Sequence, residues 1–465
     1  MMIKLRDYQV AAIEQIRNLF LKGHKSILLQ ANTGAGKTAI AAEMIRLADS
    51  KGSSIWFICN RSELIEQTSR ALDKINVEHS FIAAGRPYNG SATVFVCSIQ
   101  TLFRRYTSLT PPKLIFWDEA HSIVAKTWSD VYNFARSSFH VLLTATPTRL
   151  SGEGFRDFAT AIVTGPSVRD LINQGFLAEY RAFAPQEIDT SQFRTRMGEY
   201  KTDDVMSVVN EKKFIGSAIR EYKTKFLGKK NIVFCVNVAH SQHIKDEFLA
   251  AGINCEHVDG TTPKEERDLI ISNFKSGRTQ VLTSVDLLTT GFDCPDIEIV
   301  TLLRPTKSTS LALQMMGRGL RPYPGKTDVV FLDHVNIFKL HGLPDEERQW
   351  TLDGMVKKPR ANELSVKTCP MCFAALRVTI KQCPICEHTF ASSREPIDLQ
   401  SLGSDDELKE LDKTKLKSRG KDIDKQRARS KDELLKLAIE RGYKRPHFWV
   451  ATILKARQQK KLFGK

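Results

Sequence analysis

Short apolar runs alternate with helical stretches along the first third of the chain. Each run has four or five residues, is rich in β-branched and aromatic side chains, and is apolar throughout. This pattern is typical of strands buried on both faces of a parallel sheet, and its alternation with helical stretches such as Glu63–Ile75 predicts a doubly wound α/β domain. The predicted strands are Ser26–Gln30, Ile55–Cys59, Thr93–Cys97, Leu114–Trp117 and Val141–Thr144.

The same alternation returns after residue 230 and predicts a second α/β domain of similar size. Its predicted strands are Asn231–Cys235, Cys255–Val258, Gln280–Thr283, Ile297–Leu303 and Val329–Leu332.

The predicted fold class is therefore α/β, with two tandem parallel-sheet domains, a small cysteine-rich unit and a basic helical tail. Two polar stretches without a clear hydrophobic period separate these parts. The predicted divisions are a first domain at 1–185, a connector at 186–212, a second domain at 213–345, a linker at 346–366, a zinc ribbon at 367–392 and a basic C-terminal region at 400–465.

Positive charge is concentrated at the end of the chain. The 465 residues carry a net charge of +16, and residues 401–465 alone hold 19 basic and 10 acidic side chains. This excess of positive charge indicates an extended polyanion as partner. A basic surface that only keeps the protein soluble is the alternative explanation. Amphipathic patterns predict helices at 431–441 and about 446–459. Basic and aromatic side chains are interspersed at 441–449, which suits either a nucleic-acid contact or the core of a small helical unit.

Two absences bear on location. No apolar run approaches the length of a membrane span, and the N-terminus lacks the apolar stretch of a secretory signal. We therefore expect no membrane partner, and a location in the cytoplasm of a bacterium or phage-infected cell, or in a eukaryotic nucleus.

The sharpest chemical signal is a glycine-rich segment at Ala31–Thr38, which follows the first predicted strand and precedes a helix. Backbone N–H groups at such a helix N-terminus point at a bound anion. Gly34 and Gly36 let the backbone wrap around phosphates, Lys37 can reach the β- and γ-phosphates, and the Thr38 hydroxyl can ligate Mg²⁺. The segment therefore predicts an ATP site.

An acidic pair, Asp118 and Glu119, directly follows the predicted strand Leu114–Trp117. In a domain with a phosphate loop, Asp118 would hold Mg²⁺ and Glu119 would act on the attacking water. In the second domain, Arg318 and Arg321 are three residues apart on one predicted helix face. Planar guanidinium groups there can stabilise the charge that builds during phosphoryl transfer.

Together these segments resemble the motifs of a superfamily 2 helicase of the DEAH-box type, in order and spacing, over roughly residues 3–335. The resemblance implies two RecA-like domains, ATP and Mg²⁺ as cofactors, and a catalytic set of Lys37, Asp118, Glu119, His121, Arg318 and Arg321. It implies nucleotide contacts at Arg6 or Tyr8, Gln9, Asn32, Thr33, Gly34, Ala35, Gly36, Thr38, Gly291 and Asp293, and nucleic-acid contacts at Asn60, Arg61, Gln100, Thr101, Val238, His240, Thr289 and Thr290.

Softer cues resemble the XPB-like branch and phage branch-migration helicases of the UvsW type. They are the segments LRDYQ, TATPTR and TTGFDCP. RNA helicases of the DEAD-box type carry Asp at the position of His121, so the resemblance favours DNA. It implies a helicase or translocase on single-stranded or branched DNA, working as a monomer in replication, recombination or repair, with partner proteins from those processes. An RNA helicase, a restriction motor and a non-hydrolysing ATP-gated clamp remain alternatives.

Four of the nine cysteines form two CxxC pairs, Cys369 with Cys372 and Cys383 with Cys386. Four thiolates in two knuckles suit tetrahedral Zn²⁺, and folding of so small a unit would depend on the metal. A redox role for the pairs is the alternative, and His388 is a remote substitute ligand. The ribbon is as consistent with a structural staple as with a DNA contact.

Overall fold

A computed structural model gives the fold. It describes residues 5–148, 153–184, 188–196, 198–289, 292–356 and 366–390, together with six single positions between 432 and 450.

The first lobe is built on a seven-stranded sheet in which all strand pairs are parallel. The strand order is β3-β4-β2-β5-β6-β1-β7, so the central strands are covered on both faces and are buried along their whole length. The strands are β1 (Ser26–Gln30), β2 (Ile55–Cys59), β3 (Ser80–Ile82), β4 (Val94–Ser98), β5 (Leu114–Trp117), β6 (Phe139–Thr144) and β7 (Ala161–Thr164).

Helices connect these strands and pack their apolar faces on the sheet, which fits the predicted doubly wound domain. In the third helix, for example, Leu64, Ile65, Thr68 and Leu72 are buried at helical spacing. The helices are α1 (Asp7–Leu21), α2 (Lys37–Asp49), α3 (Ser62–Asp73), α4 (Ile99–Phe103) and α5 (Lys126–Phe134), with 3-10 turns at Tyr106–Ser108 and Ala120–Ser122.

The chain crosses to the second sheet earlier than predicted. After α6 (Val168–Asn173), strand β8 (Glu179–Phe183) pairs with the second sheet, although it lies within the range 1–185 predicted for the first domain. The boundary of that range is therefore placed too late. The cause is that β8 is an edge strand with Glu179 and Arg181 exposed, so it lacks the apolar pattern of a buried strand.

Residues 188–212 are not an irregular connector. A 3-10 turn (Thr190–Gln192) precedes a short antiparallel hairpin of β9 (Thr195–Arg196) and β10 (Glu199–Tyr200). Helix α7 (Thr202–Val209) follows, with Val205 and Val209 buried in the core. Because the hairpin that precedes it is polar, the sequence pattern does not reveal this short helix.

The second lobe contains a six-stranded parallel sheet in the order β12-β13-β11-β14-β15-β8. The two sheets together establish the predicted α/β architecture of paired RecA-like domains. The elements are α8 (Lys212–Lys225), β11 (Asn231–Phe234), α9 (Val238–Ala250), β12 (Cys255–Val258), α10 (Lys264–Ser276), β13 (Val281–Ser284), a 3-10 turn (Leu287–Thr289), β14 (Ile299–Leu302), α11 (Thr309–Gly319), β15 (Asp328–Asp333) and α12 (Ile337–His341).

The start of the predicted linker is ordered and returns to the first lobe. Strands β16 (Trp350–Thr351) and β17 (Gly354–Met355) form a hairpin. Leu352 at its turn is buried in the first lobe's core, and its carbonyl accepts a hydrogen bond of 2.6 Å from the Phe155 N–H. The hairpin thus adds a non-covalent link between the end of the second lobe and the first lobe.

The cysteine-rich unit extends the edge of the second sheet. Its strands are β18 (Val366–Thr368) and β19 (Ala375–Arg377). The Ala184 N–H donates to the Phe373 carbonyl at 2.9 Å, just beyond β8. Arg377 also forms an ion pair of 3.0 Å with the buried carboxylate of Asp345. These contacts hold the unit against the second lobe.

In the C-terminal region, the structure describes six positions, all helical, which lie within the two helices predicted there. They are Asp432, Leu434, Leu435, Ile439, His447 and Val450.

Candidate active site

The phosphate loop joins β1 to α2, as the sequence predicts. Gly34 and Gly36 have φ values of 86° and 79°, a backbone conformation that glycine adopts without a steric penalty. Helix α2 begins at Lys37, so its first N–H groups face the loop. The Lys37 ammonium donates to the Ala31 carbonyl at 3.0 Å. The N–H groups at the start of α2 and the nearby Lys37 ammonium are therefore suited to bind phosphate.

The acidic pair stands at the carboxyl end of β5, two strands from β1 in the sheet. Asp118 is buried, and its N–H donates to the Ile58 carbonyl. Glu119 has a φ of 48°, an uncommon conformation for this residue type that fixes the direction of its side chain. The His121 Nδ1 lies 3.3 Å from the Glu119 carboxylate. The two side chains are therefore close enough to interact through their charges when His121 is protonated.

The charges of these groups act on one another. Burial lowers the pKa of Lys37, the carboxylates of Asp118 and Glu119 raise it, and the guanidinium groups of Arg318 and Arg321 lower it. Burial and the neighbouring Glu119 raise the pKa of Asp118. Burial alone would raise the pKa of Glu119 too, but His121 and Lys37 hold it below its ordinary value. Glu119 is therefore ionised at neutral pH and can accept a hydrogen bond from water.

The two arginines lie at the end of α11, facing the phosphate loop. Both donate to the Phe292 carbonyl, Arg318 at 2.7 Å and Arg321 at 3.0 Å, and Arg321 also pairs with Asp293. Burial, together with the charge of Arg321, lowers the pKa of Arg318 to about 9. The lobes approach closely here, since a side chain added at Gly317 would come within 2.7 Å of Thr33.

Two hydrogen bonds that the sequence did not predict lie beside the phosphate loop, and one of them joins the two lobes. The Thr146 hydroxyl, from the segment after β6, donates to the Ser310 hydroxyl on α11 at 2.6 Å. The Gln30 amide donates to the Ala145 carbonyl at 3.0 Å. In the sequence, Gln30 is a polar residue that ends an apolar strand, and Ser310 lies in a serine-rich helix start. Neither pattern identifies the hydrogen-bond partner.

The predicted adenine-binding residues form one network beside the phosphate loop. The Gln9 amide donates to the Ala35 carbonyl at 3.1 Å, and the Tyr8 hydroxyl donates to the same carbonyl at 2.9 Å. The Arg6 guanidinium donates to the Tyr8 hydroxyl at 2.8 Å. The segment is thus tied to the loop through Ala35. Asn32 is held separately, by the Pro166 carbonyl at 2.8 Å.

Four predicted nucleic-acid contacts lie near the carboxyl ends of the adjacent strands β2 and β4. The Gln100 amide donates to the Asn60 carbonyl at 3.2 Å, and Thr101 follows on α4. Arg61 donates to the Leu287 carbonyl at 3.1 Å, so it spans to the second lobe. Neighbouring strand ends from both lobes therefore line one edge of the molecule.

The nucleic-acid contacts predicted in the second lobe agree less well with the structure than those in the first lobe. His240 is fully buried and lies in the first turn of α9, so it does not reach a bound strand, and that prediction is wrong. The reason is that its imidazole packs inside the lobe, where burial lowers its pKa to about 4. Val238 begins α9 and is half-buried. Thr289 ends a 3-10 turn, while Thr290 and Gly291 lie outside the described residues.

The four paired cysteines converge on one point. Their Sγ atoms all lie within 4.8 Å of one another, with Cys369 to Cys386 and Cys372 to Cys383 each at 3.6 Å. Thiolates around a tetrahedral zinc ion, at bonds of about 2.3 Å, lie about 3.8 Å apart. The donor set and its spacing fit Zn²⁺.

Comparison with known proteins agrees with this geometry. The family model for the type III restriction enzyme res subunit matches residues 2–149, and the helicase conserved C-terminal domain matches residues 215–322. The "51.5 kDa protein" of a Lactococcus phage is 35% identical over 393 residues, covering 84% of each chain.

Three further likenesses are more distant. A putative ATP-dependent helicase, IRC3 of Saccharomyces cerevisiae, is 30% identical over 71% of this chain and 51% of its own, so the chain spans about half of that relative. The DNA 3'-5' translocase XPB2 of Sulfurisphaera tokodaii is 24% identical over 69% of this chain and 79% of its own. A putative HsdR fragment from Vibrio vulnificus shares the fold, with a TM-score of 0.58 at 23% identity, over 76% of this chain and 70% of its own.

The chain belongs to the superfamily 2 helicases, and it is an ATP-hydrolysing helicase enzyme that binds nucleic acid. No helix among the described residues is long and apolar enough to cross a membrane.

Proposed function

We propose that this helicase couples ATP hydrolysis to movement on DNA, unwinding or remodelling it. The observation that carries the proposal is the juxtaposition of Lys37, Asp118 and Glu119 in one lobe with Arg318 in the other. Groups contributed by two lobes act on one nucleotide only when the lobes are closed. Hydrolysis and lobe movement are therefore linked.

Each residue has a role in this proposal. Lys37 holds the β- and γ-phosphates, and Glu119, oriented by His121, positions the attacking water. Thr38 and Asp118 would hold Mg²⁺, which neutralises phosphate charge when bound. Arg318 and Arg321 stabilise the charge that develops on the γ-phosphate. Arg6 and Gln9 face the adenine, and Asp293 the ribose.

Movement follows if the strand-end residues of both lobes grip the sugar–phosphate backbone. Asn60, Arg61, Gln100 and Thr101 would hold one segment, and the turn at Leu287–Thr289 a neighbouring one. Lobe closure would then shift one grip relative to the other. Contacts of this kind address phosphates, so the motor would be largely indifferent to base sequence.

DNA is the favoured substrate over RNA. His121 and Thr144 match the DEAH-type pattern, and one relative is named a DNA translocase. The likeness to restriction subunits supports a restriction motor as the second candidate. We place the activity at forks and branched junctions in replication, recombination or repair, by a monomer in the cytoplasm of a bacterium or phage-infected cell, or in a eukaryotic nucleus.

Zinc is proposed as the occupant of the four-cysteine site. Because the ribbon is bonded to Ala184 and Asp345, a structural role on the second lobe explains it best. The basic C-terminal residues 401–465 would add phosphate contacts.

The test compares substrates with one preparation of the full chain. Strand displacement and ATP turnover are measured on single strands, forks, four-way junctions, plain duplex and RNA, with Glu119→Gln as the inactive control. Unwinding of forks or junctions with ATP, absent in the control, supports the proposal. Turnover stimulated by RNA alone would overturn the DNA assignment, and duplex stimulation without displacement would favour the restriction-type motor.

A further inference from the structure

Three consecutive residues outside every predicted motif touch three parts of the candidate ATP site. They are Phe176, Leu177 and Ala178, in the segment that crosses from the first sheet to the second. Phe176 lies against the predicted adenine-binding segment and Leu177 lies against the phosphate loop. Ala178 contacts the C-terminal end of α11, the helix that carries Arg318.

The local sequence explains how this segment turns onto the site. Helix α6 ends at Asn173, and Gly175 follows with a φ of 72°, the left-handed conformation that commonly ends helices. The N–H groups of Phe176 and Leu177 both donate to the Leu171 carbonyl, at 2.8 and 3.1 Å. The chain therefore reverses sharply and directs the next side chains towards α1 and the loop.

Two contacts fix the segment in place. Leu177 is buried, and its Cδ2 lies 2.7 Å from where a side chain on Gly34 would begin. The Ala178 N–H donates to the Leu320 carbonyl at 2.8 Å, between Arg318 and Arg321 in the sequence. The segment is thus held by both lobes, and the neighbouring Phe176 has little freedom to move.

Phe176 lies in cation–π contact with Arg6. The guanidinium carbon of Arg6 lies 4.0 Å from the centroid of the Phe176 ring, and the Tyr8 ring lies 5.9 Å away, tilted by 60°. Tyr8 also accepts a hydrogen bond from Arg6. The guanidinium therefore lies over the Phe176 ring and is also held by its hydrogen bond to Tyr8. A flat guanidinium beside a phosphate loop is a surface on which a planar base can stack.

We propose that Phe176 is a positioning residue for the nucleobase, which orients the Arg6 guanidinium for stacking on the adenine ring. The inference rests on the proposed ATP site. Phe176 itself need not touch the nucleotide, because its effect passes through Arg6. Loss of its ring frees the Arg6 side chain, which weakens base binding and leaves phosphate binding unchanged.

The experiment measures KM and kcat for ATP, and the inhibition constant of inorganic tripolyphosphate, which has no base. In Phe176→Ala we expect KM to rise about fivefold to tenfold, with kcat and the tripolyphosphate constant within about twofold of the parent. Phe176→Tyr, which keeps the ring, should restore KM. Phe20→Ala removes a half-buried ring that packs on Phe139 in the same lobe, and is the matched control.

A double variant separates positioning from structure. If Phe176 acts through Arg6, then Arg6→Ala with Phe176→Ala should have the KM of Arg6→Ala alone. An unchanged KM in Phe176→Ala, or an equal rise in KM and in the tripolyphosphate constant, would overturn the proposal. Lys37→Ala in the same assay reports on the ATP site separately, since turnover in that variant would refute the site and not the role of Phe176.

Discussion

The hydroxyl groups of Thr146 and Ser310 are 2.6 Å apart and join the two lobes of the helicase. Thr146 follows β6 in the first lobe, beside the phosphate loop, whereas Ser310 is in the first turn of the helix that carries Arg318. The hydrogen bond therefore joins the strand end beside the phosphate loop to the arginine-bearing helix, and we expect its loss to favour separation of the lobes.

Removal of this contact should slow turnover without weakening nucleotide binding. We expect Thr146→Val and Ser310→Ala each to lower kcat about fivefold, since a hydrogen bond contributes roughly 1 kcal/mol. The double variant should be no slower than either single one, because both remove the same bond. Additive losses would show that the two residues act independently. Ser276→Ala, at the end of α10, is the control.

The conformation of the phosphate loop leads to a second prediction. Gly36 and Gly252 share a φ of 79°, but a side chain at Gly36 would meet the Gln9 amide at 2.4 Å, whereas none of the described atoms lies within 4 Å at Gly252. Gly36→Ala should lower kcat/KM for ATP by at least about tenfold, through overpacking. Gly252→Ala should cost about 1 kcal/mol in stability and leave kinetics unchanged. Equal kinetic effects in the two variants would contradict the assigned geometry.

A third prediction concerns acid. His334 is fully buried, and burial lowers its pKa to about 4. The unfolded chain binds a proton near pH 6.5 and the folded chain does not, so stability is lost as the pH falls below about 6.5. Burial raises the pKa of the adjacent Asp333 to about 6, which changes stability in the opposite direction as the pH falls. The parent and the His334→Phe variant described next both keep Asp333, so they share this effect.

The measurement is the free energy of unfolding in urea at pH 7 and pH 5. His334→Phe, whose ring can keep the edge contact with Phe214, should gain about 2 kcal/mol on the parent between these values. His24→Phe, at a half-buried site in the first lobe, is the control. A difference between His334→Phe and the parent that does not change with pH would show that His334 is not buried as a neutral group.

Metal removal gives a fourth prediction. Chelation should release one zinc ion per chain and lower the melting temperature, because the ribbon is bonded to the edge strand β8 of the second lobe. Cys386→Ser should lose the metal, whereas Met371→Ser, at an exposed position of the first knuckle, should keep it. A protein with all four cysteines and no bound zinc would refute the metal assignment.

The strands of both sheets were predictable where their residues are apolar on both faces. Strands β1, β2 and β5, which are buried along their whole length, have the predicted bounds, and so does the more polar edge strand β12. Strand β8 was not predicted, since it is an edge strand whose partner β15 lies more than 140 residues further along the chain. Local patterns do not specify such pairings, nor do they show that the residues after β15 return to the first lobe.

The same distinction applies to the site. The phosphate loop and the acidic pair are contiguous segments, so their chemistry can be read from local spacing. Phe176 and Ser310 contact residues that are far away in the sequence, and the residues that flank them along the chain form no distinctive pattern. The prediction for His240 rests on its resemblance to a helicase motif, and a motif does not show that this side chain turns into the core.

The most direct test of the coupled-lobe account is ATP turnover by the full chain, with and without single-stranded DNA. We expect DNA to raise kcat at least about tenfold, Lys37→Ala to abolish turnover while retaining DNA binding, and Lys51→Ala, on the surface after α2, to behave like the parent. Turnover that neither DNA nor RNA alters, or that persists in Lys37→Ala, would contradict the account.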